Sequence, residues 1–113
     1  HLKRMRRLYA RRQASFVKLC EAHLGDWISI GENDSGMQLL ARFKKPMRDG
    51  DVVAAAMKEG LDIQGISINY HSTPPEHGLL LGYAALDERQ VLRAILALRA
   101  AFQRLDHDHF RSN

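Results

Sequence analysis

His107 and His109 flank Asp108 near the C-terminus, and a His-x-His pair is part of what a metal site needs. A structural metal asks for about four ligands in fixed geometry, so two in a polar terminus do not make one. Cys20 and His23 stand three residues apart on a segment with helical periodicity. A thiol becomes a nucleophile only where a cation or an accessible electropositive pocket lowers its pKa, and nothing here supplies either, so Cys20 reads as a small buried hydrophobe. As the sole cysteine it forms no internal disulfide, which fits a reducing cytoplasm. Lys18, Lys44, Lys45 and Lys58 fall on helix surfaces or at a strand end, away from the apolar surroundings that activate an amine. His71 and His77 bracket a loop stiffened by Pro74 and Pro75. No residue of the chain is assigned catalysis.

Charge is the stronger signal. The net charge is +4, and Lys3, Arg4, Arg6, Arg7, Arg11 and Arg12 concentrate the excess at the N-terminus. Such a helix can meet phosphates, but with Tyr9 the lone interleaved aromatic it reads first as a solvated or interdomain face.

The elements that position these residues follow from periodicity. At 113 residues, with 45% hydrophobic and 27% charged, the chain is one soluble domain, and no run is long enough to span a membrane. Met5, Leu8, Tyr9, Phe16 and Leu19 repeat at helical spacings between residue 2 and a stop near Gly25. Trp27, Ile28 and Ile30 form a strand, residues 31–36 turn, and Met37, Leu39, Ala41 and Phe43 alternate with Gln38, Leu40 and Arg42 in a second strand. Asp49 or Asp51 is expected to N-cap a short helix through Val52, Val53, Ala56 and Met57 that stops at Gly60. Ile63, Ile66 and Ile68 mark a third strand. GLLLGYAAL, residues 78–86, marks a fourth, apolar enough to be covered on both faces. Asp87 with Gln90 opens a last helix bearing Val91, Ile95, Leu98 and Phe102 on one stripe. The order αββαββα predicts an α+β two-layer sandwich, a mixed or antiparallel four-stranded sheet with helices on one face.

Three strings in this order, HLKRMRRLYARRQ, DSGMQLLARF and GLLLGYAALDERQV, resemble the C-terminal end of MocR-type regulators of the GntR superfamily. The resemblance covers the chain to about Arg104. It implies that residues 1–105 are the small subdomain of a domain similar to fold-type I aminotransferases, with 106–113 a polar tail, and that the chain is a segment of a longer bacterial protein. In such proteins the lysine that attaches pyridoxal phosphate and the phosphate-binding groups lie upstream, so the cofactor is expected in the longer protein and not in these residues. The implied partners are the large subdomain of the same protein, DNA through an upstream winged helix, an amino-acid-like effector and a second copy in a homodimer, with no membrane.

Segment 79–84, LLLGYA, is similar to a family pattern whose arginine holds the substrate carboxylate; Leu80 stands in that position and cannot do so. Gly82 would let a ligand or another backbone approach closely. Ser67 and Tyr70 match a family stretch ahead of the loop, in which Gly65 replaces a proline and Asn69 a tyrosine. Gln38 lies where aminotransferases border the substrate entrance. Gln38, Ser67, Tyr70, Leu80 and Gly82 are therefore the candidate effector-facing residues. Two alternatives stand beside the regulator: the same subdomain in a working aminotransferase, and a free-standing basic α/β protein that grips nucleic acid through residues 3–12.

Overall fold

The computed structural model describes residues 2–31, 38–67, 76–82 and 86–112. Its elements are α1 (Leu2–Leu24), β1 (Ile28–Ile30), β2 (Gln38–Phe43), α2 (Asp49–Lys58), β3 (Gln64–Gly65), β4 (Gly78–Gly82) and α3 (Glu88–Ser112). The strands form one sheet in the order β1-β2-β4-β3, and every neighbouring pair is antiparallel. Because β4 runs against both β2 and β3, those two are parallel to each other. They are joined through α2 with β4 inserted between them.

The register fixes two faces. Leu39 pairs with Leu81 and Ala41 with Leu79, and these four are buried with Ile28 against the helices. All three helices feed the same core: α1 through Phe16, Cys20 and Leu24, α2 through Val52, Ala55 and Ala56, and α3 through Val91, Ile95, Leu98, Ala101 and Phe102. This is the α+β two-layer sandwich the periodicity predicts, with the sheet wholly antiparallel in its described ladders.

The alternation in β2 and the stripe on α3 reach their expected places, and reciprocal bonds form the capping box. The Asp87 N–H donates to Gln90 Oε1 at 2.9 Å, and the Gln90 N–H donates to Asp87 Oδ1 at 2.8 Å.

Three expectations change. On the apolar face of α1 Phe16 is buried and Leu19 half-buried, but Leu8 is 46% exposed, and the side chains of Met5 and Tyr9 lie outside what is described. The third strand shrinks to Gln64–Gly65, since Ile66 and Ser67 already bend away, and Ile68 lies outside the described residues. The segment from residue 106 is not a separate tail: α3 runs on through it to Ser112. Met57 is exposed, on the outer side of α2.

Candidate functional site

Strand alternation gathers three of the five candidates on one surface. Gln38 pairs with Gly82, Leu40 with Leu80, and Leu80 also with Gln64, so these residues share the sheet face turned away from the helices. In an antiparallel sheet with one solvated face, such positions are normally polar. Leu40 and Leu80 are instead apolar, directly opposed and half-buried, with Gly82 and Gln64 exposed beside them. The coverage expected on both faces of β4 is thus complete only on the helix side among the described residues. Arg42 lies on the same outward face, opposite Gly78 on β4 and Ser29 on β1. Tyr70 lies outside the described residues.

Ser67 belongs to a different constellation, one that the sequence reading missed. Asp49, the first residue of α2, is only 1% exposed. It does not cap its helix; Arg48 holds the N-cap position with no side-chain bond. The Asp49 carboxylate turns instead toward β3 and β4. Oδ2 accepts the Ser67 N–H at 2.8 Å and the Gly78 N–H at 3.3 Å, while Oδ1 accepts the Ser67 hydroxyl at 2.6 Å. His77 Nδ1 lies 3.2 Å from the Asp49 N–H nitrogen, which donates to it, and 3.4 Å from Oδ1.

Several donors in place of one explain the choice: a buried carboxylate is stable where its lone pairs are all used. Burial pushes the Asp49 carboxyl up, but the bonds from the Ser67 hydroxyl and N–H and from the Gly78 N–H, with His77 beside them, outweigh it and leave the pKa below the ordinary 3.8. Gly65 makes the room, and Gly78 is hemmed in by other groups. A Cβ on Gly65 would lie 2.7 Å from Asp49 Cγ, and one on Gly78 would lie 2.7 Å from the Ala41 carbonyl oxygen.

Chemically the arrangement is a clasp. The Ser67 hydroxyl donates to a carboxylate rather than to an imidazole, so nothing activates it as a nucleophile. The carboxylate itself is engaged on both oxygens.

A second lock closes the other end of the sheet. Trp27 stacks on Phe102 at 5.5 Å between ring centroids, and Phe43 meets Phe102 edge-on at 6.2 Å. Trp27 Nε1 donates to Asp106 Oδ2 at 2.6 Å, and Lys45 Nζ lies 3.4 Å from the same oxygen. An open cavity of about 500 Å³ beside this lock is lined by Lys45, Arg48, Asp51 and Asp106, among others, whose charges balance.

Cys20 is buried, and desolvation followed by the nearby Glu21 charge pushes its thiol up to about 12, the opposite of an activated cysteine. All five lysines are exposed, so these residues offer no desolvated amine and do not fit the attachment of pyridoxal phosphate. Among the described residues no three His, Cys, Asp or Glu side chains converge as metal ligands, and no described helix is long and apolar enough to cross a membrane. Asp108 and His109 have no described side chains, so the His107 and His109 pair lies partly outside what the structure covers.

No family model matches the chain. Two solved enzymes share its architecture. Pyrococcus horikoshii kynurenine aminotransferase, solved in complex with PMP, superposes with a TM-score of 0.80 over 92% of this chain and 26% of its own, at 15% identity. The α-aminoadipate aminotransferase of Thermus thermophilus, complexed with N-(5'-phosphopyridoxyl)-L-leucine, gives 0.77 over 92% of this chain and 27% of its own, at 20% identity. At those identities the likeness establishes the fold, that of an aminotransferase small subdomain. Sequence goes further: the chain is 46% identical over 106 residues, 94% of its length, to the probable rhizopine catabolism regulatory protein MocR of Rhizobium meliloti.

The chain is a MocR-type homologue. The uncharacterized HTH-type transcriptional regulators YdeL and YhdI of Bacillus subtilis are each 29% identical to it, over 91% and 90% of its length. This MocR-type segment spans 22% of the length of each of the three relatives.

Proposed function

We propose that the chain is the C-terminal small subdomain of a MocR-type, pyridoxal-phosphate-dependent transcriptional regulator, and that its outward sheet face borders the cleft in which the effector is sensed. The 46% identity to MocR across 94% of the chain carries this reading. In it, Gln38, Leu80 and Gly82 face an amino-acid-like effector. The large subdomain of the same protein supplies the cofactor's attachment, and an upstream winged helix reads DNA, with two copies forming the working dimer. Ser67 acts from behind that face, holding the Asp49 clasp that fixes the start of β4 against α2. Effector binding is relayed as a movement of this subdomain against the larger one.

The test uses the longer protein and the 113-residue chain side by side. The longer protein, incubated with pyridoxal phosphate, is expected to show a visible cofactor band that borohydride fixes, and to retard a DNA fragment from its own promoter. The chain alone is expected to do neither. A cofactor band in the isolated chain, or a longer protein with no affinity for its promoter, refutes the reading. Steady turnover of amino-acid and keto-acid pairs without DNA binding would favour the aminotransferase instead.

A further inference from the structure

The four strands contain a single charged residue, Arg42, and the register puts it on the outward face with the opposed leucines. It is exposed, and no described anion pairs with it. Its direct partner on β4 is Gly78, which is buried: a Cβ there would stand 2.7 Å from the Ala41 carbonyl oxygen and 3.2 Å from Ile66 Cδ1. Leu80 is the diagonal neighbour, so its Cα lies about 7 Å from that of Arg42, within reach of a long side chain.

The outward face therefore reads, along β2, as an apolar platform of Leu40 and Leu80 followed by a lone cation at Arg42. A cation beside apolar surface suits a ligand with an apolar body and a carboxylate at one end, because a guanidinium fork binds a carboxylate through two parallel bonds.

We infer that Arg42 is the carboxylate-binding residue of the effector site, supplying from β2 the positive charge that Leu80 cannot supply from β4, with Leu40 and Leu80 as the platform for the effector's apolar part. The inference rests on the proposed cleft, and the experiment separates the two. The probes are N-(5'-phosphopyridoxyl)-L-leucine and N-(5'-phosphopyridoxyl)-3-methylbutylamine, which differ only by the carboxylate, titrated by calorimetry into the longer protein freed of its cofactor.

The wild type is expected to bind the leucine adduct on the order of 10- to 100-fold more tightly, the worth of charge-assisted hydrogen bonding. Arg42→Gln is expected to erase that ratio while leaving the amine adduct's affinity and the thermal midpoint unchanged, and Arg42→Lys to restore part of it. Equal affinity of wild type for both adducts overturns the inference, as does a ratio that survives Arg42→Gln. Failure of both adducts to bind instead removes the cleft itself. Should Arg42→Gln unfold the protein, the partial ratio expected of Arg42→Lys decides the matter, and an undiminished ratio there counts against the inference.

Discussion

Replacing Asp49 by alanine removes an acceptor that serves three donors, the Ser67 N–H, the Ser67 hydroxyl and the Gly78 N–H. Each buried donor left unsatisfied costs about 1–3 kcal/mol, but the three share one network and can relax together, so the expected loss is about 3–5 kcal/mol, the usual cost of breaking a buried charged cluster. Asparagine should cost far less. Its carbonyl oxygen can take both N–H groups in place of Oδ2, and its amide can donate to the Ser67 oxygen in place of Oδ1, so the geometry survives and only the charge is lost, at about 1–2 kcal/mol.

The pH dependence follows from the lowered carboxyl pKa. A carboxyl depressed in the folded state adds stability above its unfolded pKa of about 3.9, and that contribution disappears as pH falls through the folded value. The gap between wild type and Asp49→Asn should therefore be full at about pH 7 and narrow progressively below about pH 4. Urea unfolding followed by the fluorescence of Trp27, the one tryptophan and a member of the core, measures it. An alanine variant within about 1 kcal/mol of wild type, or an asparagine variant as damaged as alanine, would falsify the clasp.

Two glycines of one chain should respond in opposite directions. Gly78→Ala presses a methyl against the Ala41 carbonyl, which as backbone cannot swing away, and is expected to cost roughly 1–3 kcal/mol. Gly50, on α2 with nothing within 4 Å of an added Cβ, should gain about 0.5–1 kcal/mol on becoming alanine; the same urea titrations read both. Cys20, buried and with its thiol pushed up to about 12, should resist an aromatic disulfide reagent at mildly alkaline pH in the folded chain and react at once in urea, so rapid labelling of the native state would contradict its placement.

Local patterns carried much of the fold. The capping pair Asp87 and Gln90, the stripe Val91, Ile95, Leu98 and Phe102, and the alternation of Leu39, Ala41 and Phe43 are all set by spacings of two to four residues, and each stands where periodicity puts it. Gln38, Leu80 and Gly82 could be marked from the same segments, yet only the register between β2 and β4 puts them on one surface with Arg42.

Asp49 was legible as a helix-start residue but not as a clasp, because its partners are 18 and 29 positions away and reach it only after two strands have paired. Its one warning lay in Gly65, at a position where a strand would ordinarily prefer a side chain. Trp27 and Asp106, 79 residues apart, likewise meet only through the packing of α3. A polar run past residue 105 looks like a tail until one of its members is seen to hold the indole.

The insertion of β4 between β2 and β3 has a consequence for how the chain is made. Until residues 78–82 leave the ribosome, the β1–β2 hairpin has no inner neighbour and the two residues of β3 have nothing to bond to, so an arrested or truncated product exposes the flank of β2 as an open template for foreign strands. Emergence of that one late segment is then the step that separates an adhesive intermediate from a finished sheet, and a nascent chain stalled before it is the species a chaperone would need to hold.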